Sequence, residues 1–224
     1  MPAGLSRVER LERLGRSRLY LCTPMRADLT ETLTFADAVL AGGVDLLQLR
    51  HKGLEWREEQ EALVALGDVA RRRSALLSAN DRADLTVTSG ADVLHVGQDD
   101  LPPATARAIL GPRAIIGLSL TSESQLAGCD PAVVDYVGLG PLFPTGTKAD
   151  AARVLGEAAF TAIRRRLNCP VVAIGGITAV NTARAIAAGA DGIAVVSAIC
   201  AADDPRAAAR ALRAAVNAAR EKSG

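Results

Sequence analysis

From residue 18 onward, short apolar runs rich in β-branched residues alternate with longer stretches whose apolar positions recur at helical spacing. The apolar runs predict strands at Arg18–Thr23, Val44–Arg50, Ser74–Ala79, Val93–Gly97, Ala114–Ser119, Tyr136–Gly140, Val171–Gly175 and Gly192–Ser197. Helical spacing predicts helices over Trp56–Arg73, Gly156–Leu167 and Val180–Ala188, and an Ala- and Arg-rich one over Pro205–Lys222. The segment Ser122–Cys129 carries the weakest helical pattern. Strict alternation of strand and helix argues a parallel sheet, because parallel neighbours need crossover connections. Eight units of about 25 residues predict a closed (β/α)8 TIM barrel rather than a doubly wound open sheet. No Pro- or Ser-rich linker divides the chain, so residues 1–224 read as a single barrel domain. Residues 1–17 form an N-terminal extension with a helix around Ser6–Leu14.

If the chain is such a barrel, its chemistry lies at the C-terminal ends of the strands, in the loops that follow them. The second strand ends Gln48-Leu49-Arg50-His51-Lys52. Continued alternation would place Gln48, Arg50 and Lys52 on one face and Leu47, Leu49 and His51 on the other. An amide and two cations would then converge at the barrel mouth. The third strand runs into Asn80-Asp81 and the fourth into Gly97-Gln98-Asp99-Asp100. Carboxylates at adjacent strand ends are the hard oxygen ligands that Mg²⁺ prefers. The plainer reading makes Asp81 and Asp99 or Asp100 helix N-caps, but the neighbouring cations favour a metal and phosphate site.

The sixth strand leads into Gly140-Pro141-Leu142-Phe143-Pro144-Thr145-Gly146-Thr147-Lys148, whose tip offers backbone N–H, hydroxyl and ammonium donors to a phosphate. Gly175-Gly176 follows the seventh strand, and Val196-Ser197 ends the eighth, where a short helix can begin. Loops in those two positions, with a helix N-terminus, form the recurrent phosphate site of these barrels. Ser119 closes the fifth strand and can donate into the same mouth. His95, inside the fourth strand, reads as a satisfied core residue. With only His51 and His95 in the chain, a histidine-based nucleophilic triad has little support.

Composition narrows the partners. Lys and Arg number 26 against 25 Asp and Glu, a formal net charge of +1, so the basic excess of a nucleic-acid binder is missing. The runs Arg71–Arg73 and Arg164–Arg166 fall near helix ends, where cations meet the negative end of the dipole. Cys22, Cys129, Cys169 and Cys200 are scattered without a CxxC pair and read as buried small hydrophobes in a reducing compartment. The first residues lack an apolar signal region, and no stretch of about 18 apolar residues follows. These features predict a cytoplasmic protein that acts on small molecules, without membrane or nucleic-acid partners; whether it is a homo-oligomer stays open.

Five segments, taken in order and spacing, resemble the thiamine-phosphate synthase family: Gln-Leu-Arg-His-Lys at 48–52, Ala-Asn-Asp-Arg-Ala-Asp-Leu at 79–85, His-Val-Gly-Gln-Asp-Asp at 95–100, Gly-Pro-Leu-Phe-Pro-Thr-Gly-Thr-Lys at 140–148 and Ile-Gly-Gly-Ile-Thr at 174–178. The resemblance implies that hydroxymethylpyrimidine pyrophosphate loses pyrophosphate to the nitrogen of a thiazole phosphate, giving thiamine phosphate. It implies Mg²⁺ on Asp81 and Asp100, and the pyrimidine pyrophosphate on Gln48, Arg50, Lys52, Asn80, Ser119 and Lys148. Of these, Arg50, Lys52, Ser119 and Lys148 would act on the leaving group. Thr145, Gly146, Thr147, Gly176, Val196 and Ser197 would hold the thiazole phosphate. In the family C–O cleavage runs ahead of C–N formation, and the attacking nitrogen carries no proton, so no general base is needed. Two departures stand out: His51 where the family usually has an acidic residue, and Ala149 where it often has a second lysine. A thiazole tautomerase of the same fold and a non-catalytic phosphate-binding barrel are the competing readings. The first would want a proton-transfer residue that the motifs lack. The second would lose the metal carboxylates, and both are present.

Overall fold

The computed structural model describes residues 5–146 and 153–222. Strands β1 (Leu19–Thr23), β2 (Leu46–Leu49), β3 (Leu76–Asn80), β4 (Val93–Val96), β5 (Ile115–Leu120), β6 (Tyr136–Leu139), β7 (Val171–Ile174) and β8 (Gly192–Val195) close in sequence order into a parallel barrel. Around it lie α1 (Arg7–Arg16), α2 (Leu29–Ala41), α3 (Trp56–Arg72), α4 (Ala83–Ser89), α5 (Pro103–Leu110), α6 (Gly156–Arg164), α7 (Thr182–Ala187), α8 (Ser197–Cys200) and α9 (Pro205–Glu221). The fold is the expected (β/α)8 barrel.

The weak segment after β5 forms a 3-10 helix, Glu123–Gly128, in place of an α-helix. The seventh-unit helix starts later than its periodicity predicts, at Thr182, because Asn181 turns back to accept from Thr178 N at 2.8 Å. Among the described residues no helix is long and apolar enough to cross a membrane.

Two apolar layers hold the barrel. Outward-facing strand residues such as Leu21, Leu47, Leu77 and Leu94 pack against the helices. Inside, Tyr20, Leu46, Leu76, Val93, Ile115, Tyr136, Val172 and Ala194 give one residue per strand to a separate cluster. Following the register Tyr20↔Leu46↔Leu76, Ser78↔Val93↔Ile115, Gly117↔Tyr136, Gly138↔Val172 and Ile174↔Ala194↔Tyr20 climbs four two-residue steps around the ring. That is the stagger of about 8 that closes a barrel of this kind. It places the next inward residues, Cys22, Gln48, Ser78 and Asn80, His95, and Gly117 and Ser119, above the apolar floor. Tyr20 lies in that floor and is buried.

The opposite end is clasped by a repeat that periodicity alone did not reveal. An aspartate stands just before every even strand: Asp45, Asp92, Asp135 and Asp191. Each accepts a backbone N–H from the start of the preceding odd strand: Leu19 at 3.0 Å, Leu77 at 3.2 Å, Ile116 at 2.8 Å and Val171 at 2.8 Å. Each is also met by arginine: Arg213 at Asp45, Arg10 at Asp92, Arg7 and Arg107 at Asp135, and Arg164 at Asp191. Helix α1 supplies two of these arginines and inserts Leu14 into the inner cluster, so it closes the barrel floor. A capping box between Ser6 and Glu9 starts that helix.

The arginine runs lie at the ends of α3 and α6. Arg71 pairs with Asp68, Arg73 with Asp37, Arg164 with Asp191 and Arg166 with Glu123. The four cysteines are free thiols, half-buried rather than fully buried as expected.

Candidate active site

At the C-terminal end of the barrel a hydrogen-bonded chain crosses β1 to β3. Cys22 Sγ donates to Gln48 Oε1 at 2.8 Å, and Gln48 Nε2 donates to Asn80 Oδ1 at 3.2 Å. Asn80 Nδ2 then donates to Asp81 Oδ2 at 2.6 Å, and the Asp81 carboxyl stands near enough to that of Asp100 for the two to interact. Gln48 is only 5% exposed, so its amide is fixed by these partners rather than by solvent. The chain exists because alternation sends Cys22, Gln48 and Asn80 inward, while the register sets Cys22 beside Gln48.

Neither carboxylate caps a helix. Residue Arg82 occupies the N-cap position of α4 and Pro102 that of α5, and neither makes a side-chain capping bond. Instead Asp81 takes a left-handed conformation at φ 62°, its N–H held by His95 O at 2.9 Å. A non-glycine residue in that region costs of order 1–2 kcal/mol and persists where its surroundings enforce it. Asp100 Oδ2 accepts from Gly97 N at 2.7 Å. A Cβ at position 97 would lie 2.9 Å from that oxygen, so glycine there lets the carboxylate fold onto the loop. Asp99 is exposed.

Bringing two carboxyls together raises the Asp81 pKa from 3.8 to about 6. Burial is the largest cause, the hydrogen bond and negative charge of Asp100 add to it, and Arg50 and Asn80 oppose it. The sign for stability follows. With Mg²⁺ chelated, the folded pair holds a proton between about pH 4 and 6 that the unfolded chain releases, so its contribution falls as pH rises through that window. Asp81→Asn, neutral at every pH, should therefore melt progressively higher than the wild-type chain between pH 4 and 7 in EDTA. A gap in melting temperature that stays flat across that range would contradict the coupled pair.

Strand β2 ends at Leu49, earlier than the run Val44–Arg50 suggests. Arg50 still sits beside the pair, and its charge acts on Asp81. Lys52, however, is exposed in a turn, so the expected common face of Gln48, Arg50 and Lys52 holds only for the first two. His51 turns toward α3, where its charge acts on Glu59, and its buried Nδ1 has no partner among the described residues. Ser119, at the end of β5, hydrogen-bonds through Oγ to His95 Nε2 at 2.8 Å. The other ring nitrogen of His95 bonds Tyr136 OH at 2.8 Å, so His95 is satisfied in the core as expected.

The second half of the mouth is built from the loops after β6, β7 and β8. Leu142 N donates to Ile174 O at 2.8 Å and Phe143 N to Gly175 O at 3.1 Å, zipping the first two loops together. Gly175 and Gly176 have φ of 95° and 65°. A Cβ at Gly176 would meet Pro144 O at 2.3 Å, so both backbone conformation and close approach require glycine. Asn181 Nδ2 holds Gly176 O at 2.8 Å. Thr145 is half-buried and Gly146 exposed beside this seam; Thr147 and Lys148, with Ala149, lie outside the described residues. Val196 is the N-cap of the short helix α8, whose first residue is Ser197, as expected.

Sequence reasoning missed Cys22, Tyr136 and Asn181. Cys22 and Tyr136 point inward by alternation within strands already located, which is the signal that could have found them. Asn181 leaves no comparable mark, because its role depends on the turn after Gly176.

Comparison with known proteins places the chain in a family. The family model for thiamine monophosphate synthase matches residues 19–199. The chain is 47% identical to thiamine-phosphate synthase of Mycolicibacterium smegmatis, over 93% of this chain and 96% of that one. It is also 47% identical to the Xanthobacter autotrophicus thiamine-phosphate synthase, over 90% and 96% of the two chains. The solved structure of thiamine phosphate pyrophosphorylase from Pyrococcus furiosus superposes with a TM-score of 0.83 at 34% identity, over 93% of this chain and 98% of that one. The chain belongs to the thiamine-phosphate synthase family.

Proposed function

We propose that this chain joins hydroxymethylpyrimidine pyrophosphate to hydroxyethylthiazole phosphate, releasing pyrophosphate and forming thiamine phosphate. The observation that carries the reading is the Asp81–Asp100 carboxyl pair, linked through Asn80 to the buried amide of Gln48 and flanked by Arg50. Among the described residues no cluster of three or more His, Cys, Asp and Glu could hold a metal. Two carboxylates that would otherwise repel suit Mg²⁺, which takes one or two carboxylates and completes its shell with water and substrate phosphate oxygens. Asp81 and Asp100 would hold the ion, which when bound supplies positive charge that neutralises the pyrophosphate oxygens.

Gln48 and Asn80, each anchored by the other, present fixed polar groups to the pyrimidine pyrophosphate. Arg50, Lys52, Lys148 and Ser119 are assigned to the leaving group. Negative charge grows there as the C–O bond breaks, so fixed cations and donors stabilise the transition state more than the ground state. Departure of pyrophosphate ahead of C–N bond formation needs no base, in keeping with a mouth whose histidine is engaged on both nitrogens. Gly176, Val196 and Ser197, with Thr145, Gly146 and Thr147, are assigned to the thiazole phosphate, in the position where barrels of this type bind phosphate.

Purified protein incubated with both phosphorylated substrates should release thiamine phosphate and pyrophosphate in equal amounts, and only when Mg²⁺ is present. Absence of product with Mg²⁺ supplied would refute the reading, and turnover undiminished in EDTA would refute the role given to the metal.

A further inference from the structure

The Tyr136–His95–Ser119 relay connects the barrel floor to the mouth, and its protons can be counted. Tyr136 is 3% exposed, its ring 5.7 Å from that of Tyr20 and 5.5 Å from that of His95. The barrel wall is cut to fit this pair. A Cβ at Gly117 would lie 2.3 Å from Tyr136 Cζ and 2.5 Å from His95 Nδ1, and one at Gly138 would lie 3.3 Å from His95 Cε1. Burial raises the Tyr136 pKa well above the usual phenol range, so the hydroxyl keeps its proton.

A buried phenol proton needs an acceptor, and the hydroxyl's hydrogen bond is to His95 Nδ1 at 2.8 Å. A neutral imidazole that accepts at Nδ1 carries its own proton on Nε2. Nε2 then donates to Ser119 Oγ, 2.8 Å away. With its oxygen occupied as acceptor, Ser119 has its O–H free to point into the mouth. The opposite tautomer would draw the serine proton toward the ring, strand the phenol proton and offer only lone pairs to an anion.

We propose that Tyr136 and His95 are positioning residues that lock this tautomer and aim the Ser119 hydroxyl as a donor toward the departing pyrophosphate. The role at the leaving group rests on the synthase reading above; the tautomer itself does not.

Two measurements test the lock. In ¹⁵N spectra of the whole protein near pH 7.5, with the His51 signals assigned through His51→Gln, His95 should show a protonated Nε2 and an unprotonated Nδ1. Tyr136→Phe should shift it toward a mixture of tautomers. In kinetics, Tyr136→Phe should lower kcat about tenfold, the order expected for weakening one hydrogen bond to a charged group, while KM changes less than about twofold. In a Ser119→Ala background the same substitution should have no further effect on kcat. His95→Gln, which keeps an N–H that can face Ser119, should retain more activity than His95→Leu. A protonated Nδ1 in the wild-type chain, or an equal Tyr136→Phe loss with and without Ser119, would overturn the proposal. A wild-type chain that makes no thiamine phosphate would sink the synthase reading and the leaving-group role, yet the spectra would still decide the tautomer.

Discussion

Asp81→Asn and Asp100→Ala should each lower kcat/KM by about 10²–10³-fold, a barrier increase of about 3–4 kcal/mol, comparable to removing one fixed group that stabilises a developing oxyanion. The two carboxyls are proposed to act as one unit, since the neighbouring Asp100 raises the pKa of Asp81. The double variant should therefore be little worse than either single one. Asparagine is the better replacement at position 81, because a left-handed backbone at φ 62° penalises alanine. Stability should move the opposite way to activity. Removing one of two neighbouring carboxylates relieves repulsion, so the metal-free Asp81→Asn variant should melt higher than wild type at pH 7. Mg²⁺ titrations of pyrophosphate release, paired with melting curves, check both halves. Full activity in either variant would displace the metal site from these residues, and a variant that simply unfolds would show it in the melting curve.

The largest stability effect should come from the other end of the barrel. Asp135 is a nearly buried carboxylate, its side chain 8% exposed, held by Arg7 at 2.6 Å and Arg107 at 2.8 Å. It also accepts the N–H of Ile116 at 2.8 Å, tying the start of β5 to that of β6. Asp135→Ala leaves two guanidinium groups without their carboxylate and one strand-end N–H unpaired. Breaking a buried pair in this way costs about 3–5 kcal/mol, against a total stability of about 5–15 kcal/mol for a typical domain. Urea unfolding should show the extrapolated unfolding free energy fall by that amount, through a lower midpoint with little change in slope. Asp135→Asn keeps an acceptor for Ile116 and should lose less. The site residues stand at the opposite ends of the strands, so whatever folded enzyme remains should keep its KM values. A loss below about 1 kcal/mol would mean that the clasp is ornamental to the fold.

Much of the architecture was legible because it is written in local periods. Apolar runs of strand length, separated by helical stretches, located all eight strands to within a few residues. The rule that barrel chemistry gathers at strand ends then selected Gln48, Arg50, Asn80, Asp81, Asp100, Ser119, Gly176 and Ser197 from the sequence. The errors arose where a local period was carried past its limit. Alternation was extended through Arg50 to Lys52, but pairing stops at Leu49 and the chain turns, so Lys52 faces solvent. The weak pattern after β5 became a 3-10 helix, held by Gln125 folding back onto Thr121 N at 2.6 Å.

By itself, the sequence determined the barrel, the order of its units and the polar groups offered at each strand end, since these depend on neighbours a few residues apart. Only the tertiary structure decided which of those groups meet. The contact of Asp81 with Asp100, the bond from Gln48 to Asn80 and the line from Tyr136 through His95 to Ser119 all join different units of the barrel. So do the aspartates that clasp its floor. Whether such residues touch depends on the stagger accumulated between strands, because a slip of one residue turns each side chain from the interior to the helix layer. A single barrel stagger brings two carboxyls together and sets one histidine between a phenol and a serine, and so turns a set of eligible residues into one connected polar mouth.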